Sequence, residues 1–313
     1  MTADGGATPI APGDVRYIKL GVGGGWARQA FENGWLAFGY HSIPDAVAAE
    51  GDWNIVAHLL RHRPTASAIS TGVGEVEAFY GMGADCLWIT LADGHLWWTF
   101  ADPEIVWLGT DTDEPSRYRR VIGGWRNTDI HGRPLRTEQL SSKLTQVAGY
   151  RGTICKVAEK EYLVRRINGI VEPIVVLAGE ARERVVSVAR DMIRSLHWAD
   201  FETLVDLIFA RSGWQRSTRV GAKLTDVDIV MEQPTTDESA FVQIKSKANQ
   251  AILDDYLDRY EVTGHDHFFF VCHTVSGTLK MPEKRGLHLF AGQRLADVAV
   301  RNGLFDWLIE KSM

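Results

Sequence analysis

The stretch FVQIKSK, residues 241 to 247, constrains this chain more than any other. It opens as a buried β-strand, and strand alternation puts Val242, Ile244 and Ser246 on one face and Phe241, Gln243, Lys245 and Lys247 on the other. A lysine inside an apolar strand is expensive unless an acidic partner or a solvated cleft receives its charge. Something acidic should therefore face Lys245. The preceding run LTDVDIV offers Asp226 and Asp228, and antiparallel pairing through the loop EQPTTDESA brings one of these aspartates near Gln243 and Lys245. Upstream, the helical pattern DFETLVDLIF buries Phe201, Leu204, Val205 and Ile208, while Glu202 lies off that stripe and can reach over the sheet edge. A helical acid, a strand aspartate and Gln-x-Lys on the next strand make a site for a divalent cation. Carboxylate and carbonyl oxygens hold Mg²⁺ with several waters, and a lysine beside it positions or activates the water that attacks phosphorus.

The rest of the chain frames that site. With 313 residues, 45% hydrophobic and 24% charged, it reads as two folded domains with real cores, neither disordered nor fibrous. Residues 16 to 157 carry short runs rich in β-branched and aromatic residues: RYIKL, WLAFGY, CLWITL, HLWWTF, EIVWL and GTICKV. Asp93-Gly94 between CLWITL and HLWWTF has the chemistry of a tight hairpin turn, and so many short strands imply a barrel or a strongly curved sheet. WARQAFENG and IPDAVAAEGDWNIVAHLLRHR are the helical candidates of this half. From about residue 178 the period changes, with Val185, Val188, Met192 and Leu196 at helical spacing. Helix and strand patterns then alternate to the last residue, which suggests a central mixed sheet with helices on its faces.

The region from about 195 to 313 resembles the Mrr-type restriction endonuclease catalytic domain of the PD-(D/E)XK nuclease superfamily. The matching pieces are DFETLVDLIFARSGW, DVDIV, FVQIKS and HLFAGQRLADVAVRNGL. The resemblance implies a restriction-endonuclease-like α/β core and assigns Glu202 to the helical acid, Asp228 to the main metal ligand, Gln243 to the third position and Lys245 to the catalytic lysine. Metal ligands would be Asp228, Gln243 and Glu202, with Mg²⁺ as the ion and Mn²⁺ as a substitute. No proline precedes the aspartate, and Asp226 competes with Asp228; the apolar pair Ile229-Val230 favours Asp228. Gln243 stands where a carboxylate is usual, which removes one charge from the site.

Tryptophan marks the first half, which holds eight of the 11 in its first 125 residues. Adjacent Trp97 and Trp98 in a strand point to opposite faces, so one can fill the core while the other faces a pocket or solvent. The glycine run LGVGGGWARQAF imitates a dinucleotide-binding loop, but Trp26 stands where a small glycine is needed, and no Gly-Lys-Ser/Thr follows. A turn entering a helix, or free N–H groups binding a DNA phosphate, are the two readings left. The order YIKLG…WARQAFENGWLAFGY followed by ADCLWITLADGHLWWTFADPEIVWLG is similar to the PUA-like superfamily, particularly EVE-type readers of modified bases. That similarity implies a PUA-like β-barrel with an aromatic pocket for a flipped base. Trp26, Trp53, Trp97, Trp125, Arg28 and Lys247 are the expected nucleic-acid contacts. His41, His58 and His62 have no metal-ligand company and read as ordinary surface or core histidines.

The expected organisation is a lead-in over 1–14, a reader domain over 15–155, a basic linker and helix over 156–195 and a nuclease domain over 196–313. Between 151 and 198 nine Lys and Arg face six Asp and Glu, a local excess in a chain of net charge -6 that argues against coating nucleic acid by bulk charge. Cys86, Cys155 and Cys272 are too scattered for a zinc site or a disulfide framework and read as inert thiols. With no signal-peptide pattern and no long apolar run, the reading is a cytoplasmic protein that does not enter membranes. Together these features predict a modification-dependent DNA endonuclease acting on double-stranded DNA, as a homodimer at least on DNA. An effector nuclease switched on by a small nucleotide, and a non-catalytic reader, are the alternatives.

Overall fold

The computed structural model describes residues 8–110, 113–217 and 228–313, with Asp228 described by its backbone alone. The chain divides into two compact units, Met1–Glu172 and Pro173–Met313.

In the first unit, strands β1 (Asp14–Ile18), β2 (Trp35–Phe38), β3 (Cys86–Ala92), β4 (His95–Trp107), β5 (Arg117–Arg126) and β6 (Ile154–Lys156) form one sheet in the order β2-β5-β4-β3-β1-β6. β1 runs parallel to β3, and the other ladders are antiparallel. Among the described residues β2 and β6 are edges with no ladder between them, so hydrogen bonding does not close the sheet into the expected barrel. Both edges are short, at four and three residues, and so expose few unpaired groups. The β3–β4 hairpin turns at Asp93 (φ 51°) and Gly94 (φ 71°), the left-handed pair that Asp-Gly accommodates. HLWWTF and EIVWL belong to one strand, β4, whose register with β5 shifts between Ala101 and Ile105, around Pro103, a residue that cannot donate to a ladder.

The helices of this unit are α1 (Ala27–Asn33), α2 (Asp45–Glu50), α3 (Trp53–Leu59), α4 (Ala66–Gly81), α5 (Ser142–Thr145) and α6 (Lys160–Ile167). The single helix expected over 43–63 is two, because Gly51 turns left-handed (φ 72°) and the Asp52 carboxylate then caps α3 by accepting from Ile55 N at 3.1 Å. α4 was not foreseen, since its glycines mask its helical pattern. One of them has a steric reason: a Cβ at Gly72 would come within 2.9 Å of Leu60, so glycine lets α4 lie close to the segment after α3. The stretch expected as linker and helix is shared out, with Leu163 and Ile167 of α6 buried in the first unit and the long helix that follows lying in the second.

The second unit contains α7 (Pro173–Ser195), α8 (Trp198–Arg211), β7 (Gln215–Arg216), β8 (Asp228–Gln233), β9 (Glu238–Ala248), α9 (Gln250–Glu261), β10 (His267–Val275), β11 (Leu287–Ala291), α10 (Gly292–Arg301) and α11 (Phe305–Ser312). Its sheet has the order β11-β10-β9-β8-β7; β9, β10 and β11 are parallel, and β8 and β7 antiparallel, as a mixed sheet requires. Val242, Ile244, Phe269 and Val271 pack on one face with residues of α7, α8, α10 and α11. Phe241, Phe268, Phe270 and Cys272 pack on the other with Leu253 and Tyr256 of α9. No described helix is long and apolar enough to cross a membrane.

Candidate functional site

β8 and β9 pair so that Asp228 lies across from Gln243 and Ile229 across from Val242. Ile229 and Val242 fill the core under α8, which leaves the Asp228 and Gln243 positions on the α9 face. Gln243 is fully buried there. Its Nε2 donates weakly to the Ile244 carbonyl at 3.4 Å, and its Oε1 has no hydrogen-bond partner among the described residues. A buried, unpartnered carbonyl oxygen costs about 1–3 kcal/mol, so its retention calls for a reason, and a cation ligand is one that its chemistry fits.

Two residues on, Lys245 is half-buried and lies across from Cys272 of β10. Among the described residues it forms no ion pair. Its Nζ stands 4.9 Å from the centroid of the Tyr256 ring, so an aromatic face receives the charge for which the sequence called for a partner. Lys247 is exposed one pleat further along the strand.

Glu202 sits half-buried early in α8, on the other side of the sheet, and makes no hydrogen bond or ion pair among the described residues. It lies toward the same end of the sheet as Lys245: the neighbouring Phe201 meets His273 edge-on at 4.6 Å, and His273 directly follows Cys272. The structure thus sets Gln243 beside the Asp228 backbone, with Lys245 two residues further along the same strand, and leaves Glu202 on the helix packed against the opposite face. Asp226 lies outside the described residues. No described group of three His, Cys, Asp or Glu could hold a metal ion. His273 itself was not singled out in the sequence. Its Nδ1 contacts Thr274 Oγ1 at 2.8 Å, its Nε2 is buried without a partner among the described residues, and burial, with Arg194 adding to it, pushes its pKa down.

A second site lies in the first unit. The loops after β1 and β2, the turn after α3 and the segment 151–153 enclose a cavity of about 630 Å³. Trp26 forms one wall. Its indole donates Nε1 to the Asp113 carbonyl at 3.0 Å and lies against Gly21 (φ 81°), where a Cβ would come within 2.7 Å of the ring. Tyr40 forms another, with a left-handed backbone (φ 65°) that is rare for a bulky residue and collects at functional sites. Two hydrogen bonds and a cation–π contact hold it there. Its hydroxyl donates to Glu75, its carbonyl accepts from the fully buried Arg117 at 3.1 Å, and the Arg63 guanidinium stacks 4.9 Å from its ring centroid. Arg117 also donates to Ile43 O at 2.6 Å and to the Tyr80 hydroxyl at 2.5 Å, which in turn donates to Asp45 at 2.6 Å. That relay compensates a buried guanidinium and fixes the loop lining the cavity.

Of the expected nucleic-acid contacts in this unit, only Trp26 lines the cavity. Trp97 stacks on Phe31 at 4.0 Å and donates to Ala92 O; Trp125 meets Phe31 edge-on and donates to Trp35 O at 2.9 Å. Trp53 packs on the core beside α2 and α3, and exposed Arg28 pairs with Glu32 at 2.9 Å within α1. The N–H groups of Gly24, Gly25 and Trp26 bond to Gly21, Val22 and Leu20 carbonyls, so three donors of the glycine run are already used. Lys19, Tyr40, His41, His62, Arg63 and Arg151 were missed as a set. They come from four separate segments, and only the fold makes them neighbours.

None of the curated proteins matches this chain. A solved structure, the DNA modification-dependent restriction endonuclease AspBHI, aligns over 72% of this chain and 68% of its own at 10% identity with a TM-score of 0.31, too loose an overlap to carry an argument. Residues 193–263, which span α8 to α9 and include Glu202, Asp228, Gln243 and Lys245, match the Mrr catalytic family of restriction endonucleases.

Proposed function

We propose that this protein is a divalent-metal-dependent DNA endonuclease that acts on double-stranded DNA carrying a modified base, with the first unit as a PUA-like reader and the second as the nuclease. One observation carries the nuclease reading: the buried Gln243 Oε1, unpartnered among the described residues, lies across the ladder from Asp228 and two residues before Lys245, inside the stretch that matches restriction endonucleases. Asp228 and Gln243 would hold Mg²⁺, or Mn²⁺ in its place, with Glu202 reaching over the sheet edge from α8 as the third ligand. Such an ion, when bound, polarises a phosphoryl oxygen and lowers the pKa of a coordinated water. Lys245 orients the attacking water and donates hydrogen bonds to the phosphoryl oxygen as negative charge grows there. A water oxygen forms the new bond to phosphorus, and the bridging P–O bond of the DNA strand breaks. Exposed Lys247 would contact the strand's phosphates. Because each chain carries one such set, cutting both strands calls for two chains.

The test compares modified and unmodified duplexes, with Mg²⁺ or with chelator, for the native chain and for Lys245→Ala. Cleavage confined to modified DNA, and lost in chelator and in the variant, is the expected result. Equal cleavage of both duplexes would remove the reader role, and hydrolysis that survives Lys245→Ala would remove the assigned site.

A further inference from the structure

We propose that the cavity walled by Trp26 and Tyr40 binds a nucleotide through its phosphate as well as its base. The reading of the chain as DNA-acting underlies the expectation that this nucleotide is drawn from DNA. Charge carries the argument. Lys19, Arg63 and Arg151 all line the cavity, and among the described residues its lining contains no aspartate or glutamate. The Glu75 carboxylate is 2% exposed and accepts from the Tyr40 hydroxyl and from Thr153 N at 2.8 Å, while Glu114, whose carbonyl contacts His41 at 2.7 Å, accepts at its carboxylate from Gln29 Nε2 at 2.8 Å. Three permanent cations thus share one concavity in a chain of net charge -6, and their mutual repulsion is relieved by an anion.

The cations keep donors to spare. Lys19 Nζ gives one hydrogen bond to Tyr150 O, Arg63 Nη1 gives one to Ala68 O, and Arg151 forms no hydrogen bond or ion pair among the described residues. Guanidinium and ammonium groups with free N–H are the usual holders of phosphate oxygens. The aromatic groups supply the other half of a nucleotide's chemistry. Trp26 is fixed by its bond to Asp113 O, with His41 edge-on at 6.3 Å, and a base can lie against such rings. About 630 Å³ accommodates base, sugar and phosphate together, within the roughly 300–1,000 Å³ range of small-molecule sites. A cavity built only for a neutral base would not need three cations.

The same chemistry is offered by a nucleotide extruded from a duplex and by a free mononucleotide, and calorimetric titration of the full-length chain in chelator separates them. Ligands are the four deoxynucleoside 5′-monophosphates, the four matching nucleosides, inorganic phosphate, and duplexes with and without one unpaired nucleotide. The expected result is at least one nucleotide form, free or unpaired in a duplex, bound about tenfold or more tightly than its reference, the nucleoside or the fully paired duplex, because charge-assisted hydrogen bonds are added. Arg151→Gln should erase most of that margin. Arg63→Gln should do the same, and Arg151, which is exposed and unbonded, keeps the test valid if Arg63→Gln misfolds. A margin in the duplex pair identifies DNA as the source; a margin only among free ligands identifies a soluble nucleotide. No margin in either pair, or a margin unmoved by Arg151→Gln, overturns the proposal. Metal-dependent cleavage by a chain whose cavity ignores nucleotides would sink this inference alone, and nucleotide binding by a chain without nuclease activity would sink only the nuclease reading.

Discussion

Lys245 Nζ and the Arg259 guanidinium both address the ring of Tyr256, at 4.9 Å and 4.7 Å from its centroid. Tyr256 is itself 4% exposed, anchored by α9 against β9 and β10, so the ring is a rigid platform and the lysine is the partner that adapts to it. A partly desolvated cation–π contact is worth about 0.5–2 kcal/mol.

Removing the ring should therefore disorder Lys245, the lysine proposed to orient the attacking water, while leaving it in place chemically. Tyr256→Leu is expected to lower the cleavage rate by up to about 30-fold, the kinetic equivalent of about 2 kcal/mol, whereas Tyr256→Phe stays near the native rate. Single-turnover cleavage at saturating metal reads both variants. A Phe variant as slow as the Leu variant would mean that the hydroxyl, not the ring, matters.

Gln243 should show a conflict between stability and function. Its unpartnered Oε1 is a burial cost, so Gln243→Leu is expected to raise the denaturant midpoint, by the equivalent of roughly 1–3 kcal/mol, while abolishing Mg²⁺ binding and cleavage. Gln243→Glu should instead bind the cation more tightly and lose stability when the cation is withdrawn. Chemical denaturation with and without Mg²⁺ measures the pair. A Leu variant less stable than the native chain would show that the amide is satisfied in solution.

Acid should weaken the second unit in a defined direction. Burial pushes the His273 pKa down, with Arg194 adding to it, and burial pushes the His288 pKa down, with His267 and then Arg294 adding to it. The unfolded chain, with ordinary histidines near pH 6.5, then binds more protons than the folded one at mildly acidic pH. The stability these groups contribute is complete above about pH 6.5 and is lost as pH falls from there through their lowered folded values. Unfolding midpoints between pH 7.5 and 5 should decline, and less so in His273→Gln. A flat profile would refute the assignment.

Much of the second unit was legible because its sequence alternates cleanly. β9 announces itself by period two, α8 by its buried stripe of Phe201, Leu204, Val205 and Ile208, and β8 by Ile229 and Met231, all of which pack where that periodicity puts them. The misses have local causes. The helical pattern RLADVAVRNGLFDWLIEK reads as one helix, but Gly303 (φ 68°) divides it into α10 and α11, and β5 was overlooked because RYRRVIGGWR reads as a charged surface segment. Yet Arg117 and Arg119 are fully buried, their charges met by carbonyls from segments 17 to 77 residues away.

The amino-acid sequence by itself determined that Gln243 and Lys245 share one face of a strand, since alternation of side chains is a local property of extended backbone. Which groups surround them was decided by tertiary structure alone. The ring beside Lys245 comes from a helix 11 residues further on, Glu202 lies on the far face, and the cationic cavity gathers Lys19, Arg63 and Arg151 from distant segments. Local patterns specify direction; only the folded chain brings residues that are remote in sequence within reach of one another.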